Sequence, residues 1–179
     1  MSPRRIAVAL IAACAVAVLT GCAPAAHAPT QTPTPTFTSE AQAFQAAEET
    51  YRAYVDALNH VDTRRPATFE DVYKWATGTA KASDKKVLTG YHSSGTRISG
   101  ESVVTVVIPA STSAPFSSVE LAACLDVSAI QLLDPSGKSV VNPERPEIQS
   151  ISVTLDRSSS SRTGLLVSNI FAREGAPSC

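Results

Sequence analysis

From residue 40 onward apolar side chains recur at helical spacing. Phe44, Ala47, Tyr51, Tyr54, Val55, Leu58 and Val61 follow at steps of three and four, which sets them along one stripe, with Glu48, Glu49, Arg52 and Asp56 on the opposite face. Just before them, Ser39-Glu40-Ala41-Gln42 has the spelling of a capping box, so the helix is predicted to begin there. Arg64-Arg65-Pro66 interrupts the stripe, and Thr68 with Asp71 reads as a second cap. Phe69, Val72, Tyr73, Trp75 and Ala76 then predict a short helix, which Gly78 breaks before another runs from Ala80 to Tyr91.

After Ser93-Ser94-Gly95 the period falls to two and β-branched residues take over. Strands are predicted over 103–108, 119–127, 148–155 and 165–171. Val119, Leu121, Ala123, Leu125 and Val127 form one apolar face, and Glu120, Cys124 and Asp126 the other. Asp134-Pro135-Ser136-Gly137 is a tight turn joining 130–133 to 139–141, and 158–161 is an exposed turn. Helices first and strands afterwards indicate an α+β domain, with N-terminal helices packed on a curved antiparallel sheet of four to six strands.

The chain's 179 residues suit one core. Ahead of it, Arg4 and Arg5 open an uncharged apolar run from Ile6 to Leu19, too short for the roughly 20 residues of a stable bilayer-crossing helix and of the length of a secretory signal. The run ends in Leu19-Thr20-Gly21-Cys22, which resembles the bacterial lipoprotein lipobox at all four positions. That resemblance implies a diacylglyceryl group on the Cys22 thiol, cleavage before Cys22, and fatty acyl chains such as palmitate anchoring the protein to the extracytoplasmic face of the cell membrane. Two or three chains hold where one does not, because each buried CH₂ contributes about 0.8 kcal/mol. Residues 1–21 are then a signal peptide, 22–39 a lipidated cysteine with a Pro/Thr-rich tether, and 40–179 a single α+β domain.

Removing residues 1–21 lowers the formal net charge from -1 to -3. A mildly acidic domain offers no electrostatic reason to bind nucleic acid. The cleavage also removes Cys14, and lipidation occupies Cys22, which leaves Cys124 and Cys179. In an oxidising compartment two such thiols favour one disulfide, with two free thiols as the alternative.

The helix and strand order, with Tyr51, Tyr54, Tyr73, Trp75 and the C-terminal Cys179, resembles cystatin/NTF2-like envelope lipoproteins of Gram-positive type. Members of that group include enzymes, subunits of secretion or conjugation machines and plain binding modules. Glu120, Asp126, Tyr73 and Trp75 are the candidate pocket residues, with Asp126 or Glu120 as general base in an apolar cone if the chain is an enzyme. Asp56 and His60 stand four apart on the first helix, where a carboxylate can orient an imidazole or form an ordinary solvated pair. Tyr51, Tyr73 and Trp75 equally suit the core, and His92 suits a helix C-terminus. No phosphate loop, zinc motif, nucleophile elbow or cofactor motif is present in the sequence. The reading this favours is a non-enzymatic, membrane-tethered binding or accessory module. Its partner is an envelope protein, a glycan or a small apolar ligand.

Overall fold

The computed structural model describes residues 36–179. The signal peptide, the lipobox Leu19, Thr20, Gly21 and Cys22, and the tether as far as residue 35 lie outside the described residues. The chain runs through α1 (Glu40–Asn59), a 3₁₀ turn (Pro66–Thr68), α2 (Phe69–Tyr73), α3 (Gly78–Ser94), β1 (Arg97–Ser99), β2 (Val103–Thr112), β3 (Ser118–Asp126), β4 (Gln131–Leu133), β5 (Ile148–Arg157) and β6 (Leu165–Ala172). The main sheet is antiparallel in the order β2-β3-β5-β6, and β1 pairs with β4 in a separate two-stranded sheet. This is the α+β arrangement expected, with helices on one face of the larger sheet.

The first helix starts as predicted, with the Ser39 hydroxyl accepting from the Gln42 amide at 3.3 Å. Gln42 reaches back one residue further than a standard capping box, and its Oε1 accepts from the Thr38 amide and hydroxyl, both at 2.9 Å. Ala47, Tyr51, Tyr54, Val55 and Val61 of the predicted stripe are buried, together with Ala43, Thr50 and Ala57. They meet sheet rows set by register: Val119 beside Leu155 beside Val167, and Leu121 beside Val153 beside Ile170. Phe37 is only 8 % exposed and belongs to this core, with the Arg157 guanidinium 5.0 Å from its ring centroid. The packed domain therefore begins before residue 40, because one aromatic ring in an otherwise polar stretch finds a place on it.

Three local expectations give way to long-range contacts. Thr68 makes no side-chain cap; its hydroxyl donates to the Arg65 carbonyl at 2.8 Å, closing the 3₁₀ turn. Trp75 and Ala76 leave the helix, since the Trp75 carbonyl accepts from the Val167 amide at 2.9 Å and the Thr77 amide donates to the Val167 carbonyl at 2.8 Å. Backbone of 75–77 thus pairs with the edge of β6, Ala76 forming a parallel bridge to Val167. Within the turn at 158–161, Ser161 is buried, and its hydroxyl meets that of Thr163 at 2.8 Å, which in turn meets the Thr50 hydroxyl of α1 at 2.6 Å. These groups satisfy one another inside the protein, as burial requires.

The start of α3 is fitted to a bulge in β6. Between Thr154 and Leu155 the register to β6 shifts past Ser168, whose carbonyl accepts from the Thr79 hydroxyl at 3.0 Å. Gly78 sits here at φ +52°, and a Cβ on it would lie 3.1 Å from that same carbonyl. Positive φ and close backbone approach both call for glycine. β4 does not form an extended hairpin with 139–141: one bridge joins Leu133 to Ser139, while its full pairing is with β1.

On the outer face, Cys124 and Cys179 form a disulfide across a separation of 55 residues. Arg173 prepares it: its amide donates to the Ser150 carbonyl, and its guanidinium to the Pro177 carbonyl at 2.7 Å, folding the tail back. Closing a loop of this length is worth about 4 kcal/mol by chain entropy. Replacing Cys179→Ser should therefore lower unfolding free energy by about 4 kcal/mol in urea titrations, and a loss under 1 kcal/mol would show that the tail is held by its other bonds. The Tyr51 hydroxyl is buried without a hydrogen-bond partner among the described residues. Tyr51→Phe should leave stability unchanged or raise it by up to about 1 kcal/mol, since it removes an unpaired buried group; a clear loss in the same titration would reveal a partner.

Candidate functional site

The sequence places Glu120 and Asp126 on the strand face opposite Val119, Leu121 and Ala123, and the structure holds them there, away from the helices. Glu120 accepts from the Ser152 hydroxyl and, at 3.1 Å, from that of Ser111. Asp126 accepts from the Ser128 amide at 2.9 Å, and hydrogen bonding from Ser128 holds its carboxyl below the usual range. Both acids serve the sheet and its turns. Ala122, Cys124 and Ser152 are buried on this same face, so it is more covered than strand alternation suggests.

Tyr73 and Trp75 lie elsewhere, and neither meets the two acids. Tyr73 borders a shallow depression with Glu70, Lys81 and Leu166, and Lys85 Nζ stands 5.4 Å from its ring centroid. Trp75 borders a wider one with Asp56, His60 and Arg162, whose guanidinium stacks 4.7 Å from the indole centroid. His60 and Asp56 are adjacent, as their spacing implies, but the closer contact of His60 Nδ1 is the Asp56 backbone carbonyl at 2.7 Å rather than its carboxylate at 3.7 Å. That backbone bond raises the imidazole pKa, with the Asp56 charge adding to it. The pair is a helix C-terminus with an exposed imidazole. Nδ1 of His92 likewise meets the Thr63 carbonyl, at 2.8 Å.

A pocket with a largely apolar wall forms where the C-terminus of α1, the middle of α3 and the small β1-β4 sheet converge. It has a volume of about 240 Å³, and Leu58, Leu88, Ile98, Val127, Ile130 and Leu132 line it. Asp84, Asn59, Tyr91 and Arg145 supply the polar groups. Asn59 is occupied by the backbone of Ser102, donating to its carbonyl and accepting from its amide, both at 2.9 Å. Arg145 donates to the Val127 carbonyl at 2.9 Å and that of Ile130 at 3.3 Å, which closes one side.

Asp84 is the unusual member. Its two oxygens accept from the Tyr54 hydroxyl at 3.0 and 3.1 Å, and no ion pair joins it to a cation among the described residues, although α3 also carries Lys81, Lys85 and Lys86. Burial pushes its carboxyl up to about 6, against a smaller opposing effect of the Tyr54 bond. Tyr54 answers in kind: burial first, then the neighbouring carboxylate, drive its phenol pKa upward. In the sequence Asp84 looks like part of a solvated run, Ser-Asp-Lys-Lys. The available signal was spacing, since Ala80, Asp84, Leu88 and Tyr91 follow at four, four and three and so share a face.

Among the described residues no group of three or more His, Cys, Asp or Glu side chains is placed to hold a metal ion, and no helix is long and apolar enough to cross a membrane. No family model matches the chain. No curated protein matches it either. Among solved structures it is similar to the intermembrane-space region of the chloroplast protein ARC6, at TM-score 0.48 and 11 % identity over 77 % of this chain and 98 % of that one. A periplasmic fragment of TraM gives 0.47 and 9 % over 78 % and 100 %, and the VirB8 protein of Agrobacterium tumefaciens 0.40 and 12 % over 81 % and 99 %. Identities this low leave function to the chain's own residues.

The raised Asp84 pKa has a definite linkage sign. The folded state binds this proton more tightly than the unfolded chain does, so the contribution is greatest below the unfolded value near 3.8 and is lost as pH rises toward 6. Asp84→Asn keeps a partner for Tyr54 and removes the cost. At pH 7.5 the variant should be more stable by about 1 kcal/mol, a figure reduced for solvent screening, and should lose the wild-type decline between pH 4 and 6. Urea midpoints at pH 4.5, 5.5 and 7.5 check this; parallel pH profiles for the two proteins would contradict it.

Proposed function

We propose that this chain is an extracytoplasmic lipoprotein, anchored by acylation of Cys22, whose domain works without catalysis as a binding or structural subunit of a cell-envelope assembly. The observation that carries the non-catalytic part is how the interior is filled. Tyr51, Leu121, Val153 and Leu155 are essentially inaccessible between the helices and the sheet, where an enzyme of the expected kind would keep an open cone, and Glu120 and Asp126 stand on the other face. The disulfide suits an oxidising compartment outside the cytoplasm, and Leu19-Thr20-Gly21-Cys22 supplies the anchor chemistry. The Pro/Thr-rich composition between Cys22 and the domain suits a spacer rather than a packed segment.

Replacing Cys22→Ala should abolish incorporation of a labelled fatty acid and stop cleavage before position 22. Unchanged labelling would remove the anchor from the proposal. Crosslinking on intact cells, followed by quantification, should recover envelope proteins in a fixed ratio to this chain; recovery of the chain alone would argue against the assembly role.

A further inference from the structure

The pocket around Asp84 combines an apolar wall with one carboxylate whose charge the protein leaves uncompensated. Leu58, Leu88, Ile98, Val127 and Leu132 offer an apolar surface for hydrocarbon, and the volume of about 240 Å³ is below the roughly 300–1,000 Å³ of drug-sized sites. A short chain fits this description better than a ring system. At its polar end Asp84 receives one hydroxyl, that of Tyr54, while a carboxylate has about four acceptor positions. We propose that this pocket binds a primary ammonium on a short alkyl chain, with the ammonium on the Asp84 carboxylate and the alkyl chain along the wall of Leu88, Ile98 and Leu132. The assignment concerns the folded domain alone and does not depend on the anchor at Cys22.

Ligand charge is decided by what surrounds Asp84. An alcohol would donate one more hydrogen bond but leave the negative charge, and a carboxylate ligand would add a second. An ammonium neutralises it in a partly desolvated place, where attraction is stronger than in water. The charged and titratable groups around the site are Tyr54 from α1, Tyr73 from α2, Tyr91 from α3 itself and Arg145 from the segment after β4. Burial raises the phenol pKa of Tyr54 and Tyr73, so neither carries charge at pH 7.5. Arg145 is the one cation lining the pocket among the described residues, and its bonds to the Val127 and Ile130 carbonyls fix it there rather than on Asp84. The site is thus suited to a free alkylamine or to a lysine side chain presented by a partner protein.

Titration of the full chain with hexylamine, hexanol and hexanoate, followed by amide chemical shifts, tests this. Hexylamine at pH 7.5 should shift Leu88, Ile98 and Leu132 and bind at least tenfold more tightly than hexanol, with hexanoate weakest. At pH 5, where Asp84 is largely protonated, hexylamine affinity should fall about tenfold. Asp84→Asn should lose the preference for the amine over the alcohol, and Ile98→Trp, which fills the pocket, should lose both. A lysine-containing peptide competing with hexylamine would identify a partner side chain as the source, and failure to compete would identify a free amine. Equal binding of amine and alcohol, no binding of the amine, or an affinity indifferent to pH, all read on the wild-type chain, would each overturn the proposal.

Discussion

Ala43, Ala47, Tyr51 and Val55 of α1 share one core with the inner face of the main sheet, where the helix meets β2, β3 and β6, and the other contacts of the domain depend on that seating. Two alanines a turn apart let the helix come close to the sheet, and Tyr51 fills the space that remains. Once α1 lies there, Phe37 at its start reaches Arg157, Thr50 reaches the buried hydroxyls of Ser161 and Thr163, and Asn59 at its end holds the backbone of Ser102. The same helix protects a vulnerable strand. β2 is ten residues long, apolar and at the sheet edge, a form prone to pairing with other chains. Arg52 donates to the Val104 carbonyl, Pro109 presents no amide, and two register shifts interrupt its ladder. These are the usual means by which proteins blunt an edge.

The opposite edge is managed by pairing. Residues 75–77 bond to Val167 on both sides, and the bulge at Ser168 receives the start of α3 through Gly78 and Thr79. That double fixation determines the direction of α3 and therefore which of its residues face inward. Ala80 and Leu88 go into the core, and Asp84, between them, is carried to the Tyr54 hydroxyl. The position of Asp84 beside an apolar pocket follows from a strand irregularity at Ser168, far away in sequence.

Periodic features were legible in the sequence. The stripe on α1, its Ser39 cap, the inner row of β3 and the turn at Asp134, whose Oδ1 accepts from the amides of Ser136 and Lys138, are all local consequences of spacing and turn chemistry. What local reading missed depended on partners distant in sequence. Trp75 and Ala76 continue a helical pattern, but Val167 claims their backbone. Phe37 resembles the tether around it, and only the folded surface gives it a binding place. Ser161 sits in a polar run, yet Thr50 buries it. β1 is three residues long and exists because β4 is beside it. The candidate site divides in the same way. The cysteine pair followed from counting, whereas Glu120 and Asp126 were correctly assigned to one strand face without the sequence showing that the helices pack on the other.

Asp84 is the point at which stability and use of the structure diverge. A carboxylate placed in partial burial, given one phenol and no cation, costs folding free energy at neutral pH, and asparagine would fill the position without that cost. Several exposed acids of the domain have cations beside them instead. Asp62 has Arg64 and Arg65 around it and a pKa held down to about 2, Asp71 has Lys74, and Glu48 has Arg52. Lysines on the same helix as Asp84 are turned to Tyr73 and to the depression beside it instead. A charge kept half-buried and uncompensated at the mouth of an apolar pocket is what a site for a cationic ligand requires before the ligand arrives, because a built-in partner would have to be displaced first.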